Sequence, residues 1–186
     1  MPQKGKEFGN QNYMKTIKTF LAIFSLVFVF SLAVSAQGVS LVSLDGGGRV
    51  DVQNQKGKIV VLAIGASWLP LSNQMAVFTN KLAKKYAGKD DVAVYFVMTD
   101  SVSAKSKNYA SNEDLREFAT RTKLNVPILR DSDGLLTLKK FGVDQLPSFV
   151  ILGKDGKPAT EAFGGINTDS KIDISISISQ QIDKIL

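Results

Sequence analysis

Apolar residues fall along this chain in four kinds of pattern, and each predicts a different element. Val39 to Leu44 and Arg49 to Val52 alternate around Asp45-Gly46-Gly47-Gly48, which predicts a β-hairpin whose glycines supply the turn. Ile59, Val60, Val61, Leu62, Ala63 and Ile64 form a dense β-branched run ending at Gly65, and Val92 to Met98 is a second. Apolar residues at both parities predict strands covered on both faces, as in a parallel pair. Between the runs, Pro70 opens a segment with Met75, Phe78, Leu82 and Tyr86 at helical spacing, predicting a helix over Ser72–Ala87. The fourth pattern is the unbroken stretch Phe20 to Val34 near the start.

Strand, exposed turn and helix at Lys58–Ser72 are the centre of this organisation. A buried strand feeding a helix N-terminus leaves free backbone N–H groups and a locally positive end beside Trp68. Farther on, Thr99 to Tyr109 is rich in serine and lysine and reads as a surface loop. Ser111 is the expected N-cap of a helix to about Thr122, with Glu113 and Asp114 in its first turn and Leu115 and Phe118 on its apolar edge. A short strand is expected at Val126–Leu129, and a short helix from Leu135 to Phe141 capped by Asp131-Ser132-Asp133-Gly134. Asp131 and Asp133 resemble the start of a calcium loop, but no glutamate stands at the closing position, so capping is the reading adopted. Residues 146–164 read as strand, hairpin and strand. The tail fits either element: Ile172, Ile174, Ile176 and Ile178 alternate, while Ile174, Ile178, Ile182 and Ile185 share a helical face.

The stretch Phe20–Val34 follows Lys15 and Lys18 and precedes Val34-Ser35-Ala36. A basic start, an apolar core of about fifteen residues and small residues at the end form a secretory signal peptide, with cleavage expected after Ala36. The stretch is short for a membrane span, which needs about 20 residues. Two domains of text follow: residues 1–36 as extension and signal, 37–186 as one folded domain, exported to a periplasmic or extracellular space without a stable membrane anchor. Met1 and Met14 are both possible starts.

Composition changes the picture mainly by exclusion. The apolar share is 44% and the charged share 22%, ordinary for a globular chain. Four of the 23 basic residues and one of the 17 acidic ones lie in the first 36, leaving 19 and 16, a net charge of +3. That is too mild and too dispersed for a nucleic-acid surface. There is no cysteine and no histidine. Thiol chemistry, disulfides, the usual zinc sites and histidine acid–base catalysis are therefore excluded. Met75 and Met98 fall at core positions, so no metal site and no cofactor is expected.

Trp68-Leu69-Pro70-Leu71-Ser72 resembles the W-C-P-P-C motif of the thioredoxin superfamily, with both cysteines and one proline replaced. Gly57-Lys58-Ile59-Val60-Val61-Leu62 followed by Ala66-Ser67-Trp68 and Pro70 is similar to the exported TlpA-type and redoxin branch. Phe141 to Leu152 resembles the family's cis-proline segment, and Gly153-Lys154-Asp155-Gly156-Lys157 its hairpin turn. The resemblance covers about residues 39–186. It implies an α/β, thioredoxin-like fold: a central mixed β-sheet flanked by helices, an N-terminal β-hairpin, a C-terminal helix and a cis bond at Leu146–Pro147.

The resemblance also assigns roles that this chain cannot fill. Leu69 stands where the attacking thiolate belongs, Ser72 at the resolving thiol, and Ala63 at the proton-transferring group; Pro147 alone is kept. Two hypotheses follow. The first is a redox-inactive scaffold with no catalytic residue, binding a protein or peptide through Trp68, Leu69, Pro70, Leu71, Ser72, Leu146 and Pro147. The second is an enzyme whose chemistry uses carboxylates or lysines such as Asp100 and Lys105. Within the first, Leu69 and Leu71 either present apolar surface or fold inward and plug the turn.

Overall fold

Strand β3 (Ile59–Gly65) is buried at every residue, because the sheet has a core on each face. Ile59, Val61 and Ala63 point into one cluster and Val60, Leu62 and Ile64 into the other. The computed structural model describes residues 38–55, 57–164, 166 and 173–186. The expected signal peptide and extension, residues 1–36, lie outside the described residues. Gly38–Leu186 forms one compact unit.

β1 (Ser40–Ser43) and β2 (Arg49–Asp51) make the expected hairpin, with Gly46 and Gly48 at φ of 80° and 76°. β3 is followed by helix α1 (Leu71–Lys85), then β4 (Val92–Met98), helix α2 (Asn112–Thr122) and β5 (Ile128–Arg130). β6 (Ser148–Leu152) and helix α3 (Ile174–Ile185) complete the order. The sheet runs β2-β1-β5-β4-β3-β6. β3 pairs in parallel with β4 and β4 with β5, while β6 and β1 run antiparallel to their neighbours. This is the thioredoxin-like mixed sheet expected from the sequence.

The helices close one face. Met75 and Leu82 of α1, Leu115 and Phe118 of α2, and Ile178 and Ile182 of α3 pack on Phe96 and Phe149 from the sheet. The Phe96 and Phe118 rings lie 5.8 Å apart, tilted by 49°. Leu41 and Val52 from the hairpin region, with Phe141 and Val143, cover the other face. The tail is helical, and the helix buries Ile178 and Ile182 together against α1 and the sheet. Lys81–Asp173 and Lys85–Asp183 ion pairs fasten α3 to α1, and the Tyr86 hydroxyl donates to Asp183 and to the Ser179 carbonyl.

Four expectations are corrected. The first helix runs Leu71–Lys85 rather than Ser72–Ala87, because Tyr86 leaves helical geometry and Gly88 takes a φ of 81°. The helix expected over Leu135–Phe141 is a 3-10 turn at Ser132–Gly134 followed by further turns. Gly134 and Gly142 both sit at φ of 65°, which breaks the segment at each end. Residues 153–164 form no second full strand: single bridges join Pro158 to Leu152 and Phe163 to Phe149 along the outer edge of β6. Finally, Thr99, Asp100 and Ser101 begin the supposed surface loop but are buried.

Candidate functional site

The backbone at the carboxyl end of β3 is held by three short side chains before any functional group is presented. Thr99 Oγ1 donates to the Gly65 carbonyl at 3.0 Å. The Ala66 N–H donates to Ser72 Oγ at 3.2 Å. Ser67 donates both its N–H and its hydroxyl to the Asp100 carboxylate, the hydroxyl at 2.6 Å. With Ser67 held by Asp100 and the Leu69 N–H donating to the Ala66 carbonyl at 3.1 Å, Trp68 is carried at the crest of the turn and is 49% exposed.

Pro70 suits this junction. Its φ of −55° is already helical, and its missing N–H is one that a first helical turn leaves unpaired. No side chain caps the helix and no acid lies in its first turn. A β-carbon on Gly65 would lie 2.8 Å from Ser72 Oγ, so the glycine lets strand and helix approach this closely.

Across the turn, the Leu146–Pro147 bond is cis. Ser148 donates its hydroxyl to the Gln145 carbonyl at 2.6 Å, fixing the corner before β6. Between the two corners lies a groove of about 340 Å³, lined by Trp68, Leu69, Leu138, Val143, Asp144, Gln145 and Leu146.

The seven residues singled out in the sequence are thus divided. Trp68, Leu69 and Leu146 meet in the groove. Pro70 is exposed and Leu71 half-buried, but neither lines it. Ser72 is fully buried, its oxygen occupied by the Ala66 amide, and Pro147 is buried beneath the corner. Ala63 is sealed in the core, opposite Phe96 and Phe149 in the sheet register. Asp100 and Lys105 are not joined by an ion pair: Asp100 is enclosed and bound to Ser67, while Lys105 is exposed.

Leu138, Val143, Asp144 and Gln145 line the groove without belonging to that set. Val143, Asp144 and Gln145 fall inside the segment that resembles the cis-proline region, and that adjacency was an available signal. Leu138 gave none, because its position depends on the irregular turn after Gly134. Among the described residues no group of three or more acids converges on a point that could hold a metal ion.

Chemically, the arrangement offers an apolar groove with one carboxylate at its rim. It offers no attacking group. Ser67 donates to a carboxylate, but no histidine exists in the chain to carry its proton onward.

Comparisons with known proteins agree with this geometry. The AhpC/TSA family matches residues 33–158. The thiol-disulfide oxidoreductase ResA of Bacillus thuringiensis subsp. konkukian is 27% identical over 118 residues, covering 63% of this chain and 62% of that protein. The ResA of Bacillus cereus gives the same figures, so the chain spans about 62% of the length of these curated relatives. Among solved structures, the exposed lipoprotein thioredoxin of Streptococcus pneumoniae superposes with a TM-score of 0.59 at 25% identity, covering 79% of this chain and 99% of that one. A Chlorobium tepidum structure described as the thiol:disulfide interchange protein DsbE gives 0.64 at 21% identity, over 81% and 94%. The second likeness is one of fold.

Proposed function

The chain belongs to the AhpC/TSA family, and from that premise we propose that it is an exported, redox-inactive member which binds an extended protein or peptide segment at the Trp68–Leu146 groove. One observation carries the reading: a half-exposed tryptophan and an apolar groove stand at the turn that resembles the W-C-P-P-C motif, in a chain with no cysteine. An exposed apolar patch on a folded domain marks an interaction site. Backbone beside such a corner can pair with an extended peptide by strand addition, with grooves selecting side chains. Export rests on the Lys15–Ala36 pattern, together with a Streptococcus pneumoniae relative named as an exposed lipoprotein. Among the described residues no helix is long and apolar enough to cross a membrane.

Trp68 is the only tryptophan, so its emission reports this site alone. Titrating the protein with a pool of unstructured, tryptophan-free peptides should shift that emission to the blue and protect it from acrylamide. Emission indifferent to every peptide would sink the reading. The enzymatic alternative is weaker, because the enclosed Asp100 carboxylate is committed to Ser67.

A further inference from the structure

Resting on that reading of the groove, we propose that the partner is an extended apolar segment with acidic flanks. The three parallel strands β3, β4 and β5 end side by side at Gly65, Met98 and Arg130. The loops that follow them carry Trp68, Val102, Tyr109, Leu135 and Leu136, all exposed, with Leu135 75% and Val102 61% open to solvent. These loops are bound to one another. Ser67 donates to Asp100, the Val102 N–H to Ser132 Oγ, and the Ser101 hydroxyl to Asp133. The Asp133 N–H in turn donates to the Thr99 carbonyl. The apolar residues are therefore held on one braced rim rather than scattered, and Leu138 joins that rim to the Trp68 groove. A partner reaching beyond the groove meets more apolar surface.

Charge on the same loops decides what flanks that partner. Lys105 and Lys107 follow β4, and Lys139 and Lys140 follow the 3-10 turn; all four are exposed, and none is ion-paired among the described residues. Of the acids there, Asp100 and Asp131 are buried and spent on hydrogen bonds, Asp100 to Ser67 and Asp131 to Leu136 and Thr137. Asp133, which accepts from the Ser101 and Ser132 hydroxyls, and Asp144 at the groove rim are exposed, so four lysines there face two exposed carboxylates. Arg130 is turned to the carbonyls of Ser101 and Ala110. The exposed balance is basic, and complementary charge favours acids on either side of the apolar anchor.

The test uses three tryptophan-free peptides of about nine residues, each with the same apolar centre but glutamate, serine or lysine flanks. Each is titrated against Trp68 emission at low and moderate salt. The glutamate peptide should bind tightest, by about tenfold over the lysine peptide at low salt, and the gap should narrow as salt rises. In the quadruple variant Lys105→Glu, Lys107→Glu, Lys139→Glu, Lys140→Glu the order should invert; these side chains are exposed, and circular dichroism checks the fold. Val102→Asp with Leu135→Asp should weaken the glutamate peptide several-fold. Equal affinity for all three peptides overturns the acidic-flank assignment while leaving the groove in place. No response to any of them overturns the groove as well.

Discussion

Asp100 takes both polar hydrogens of Ser67, the residue next to Trp68, across 33 positions of chain. The carboxylate is fully enclosed, so its loss leaves the Ser67 N–H and hydroxyl facing protein rather than water. Asp100→Ala should cost about 1–3 kcal/mol, the range for stranding hydrogen-bonding groups in a protein interior. It should also lower the Trp68 fluorescence anisotropy, because the turn loses its brace. Unchanged stability and unchanged anisotropy together would show that the pair does not hold the turn.

Native protein should show no insulin-reducing activity at any pH, since it has no thiol. Leu69→Cys with Ser72→Cys should form an internal disulfide, seen as two free thiols that disappear on mild oxidation. The Ser72 N–H already donates to the Leu69 carbonyl at 3.0 Å, so both positions belong to one turn. The Ser72 change removes the oxygen that receives the Ala66 amide, at a cost of about 1 kcal/mol. Thiols that persist under oxidation would break the equivalence drawn between this turn and the family's dithiol.

Restoring an acid at Ala63 should be harmful. The position is fully buried between Phe96 and Phe149 of the neighbouring strands. A carboxyl there has no partner, and Ala63→Asp should destabilise the protein by several kcal/mol through desolvation and overpacking. Chemical denaturation measures this; a midpoint within error of the parent would contradict the packing described.

Helix α3 should make stability depend on pH at both ends. The Lys85 and Tyr86 hydrogen bonds hold the Asp183 carboxyl below its usual range. At Asp173 burial opposes ionisation, but the Lys81 and Ser175 hydrogen bonds outweigh it and the shift is again downward. A depressed folded pKa means stability present above about pH 4 and lost as pH falls further. Tyr86 is pushed the other way, by burial first and then by Asp183. Its contribution is whole below about pH 10 and declines above it. Tyr86→Phe should lessen the alkaline decline, the rest coming from Tyr95, whose hydroxyl burial also pushes up; it should raise the acid midpoint and cost about 1 kcal/mol at neutral pH. An unchanged pH profile would argue against the Tyr86–Asp183 bond.

What was legible in the sequence follows from how far each signal depends on its neighbours. The β3 run and the Met75, Phe78, Leu82 face are written in local periodicity, and both stand as expected in the structure. The capping box at Ser111 and Asp114 is local too. Asp100 was noticed only as a possible acid, because nothing local announces that Ser67 will arrive from another strand. Thr99 and Ser101 read as surface for the same reason: short polar residues are buried here by bonds to Gly65 and Asp133, distant in the chain. The turns after Gly134 looked helical by composition. Asp131 instead gathers the amides of Leu136 and Thr137, five and six residues on, into a tight knot whose spacing is not that of a helix cap.

The Ala66–Ser72 hydrogen bond gives the Trp68 turn a different kind of permanence. A turn closed by a dithiol opens and shuts with the reducing power around it, and its surface is remodelled at every cycle. A hydroxyl accepting a backbone amide has no such second state. Whatever rests on Trp68 in this chain would stay or leave according to concentration, salt and acidity, and would be blind to oxidants and reductants. The turn would then keep one shape whatever the supply of electrons around it.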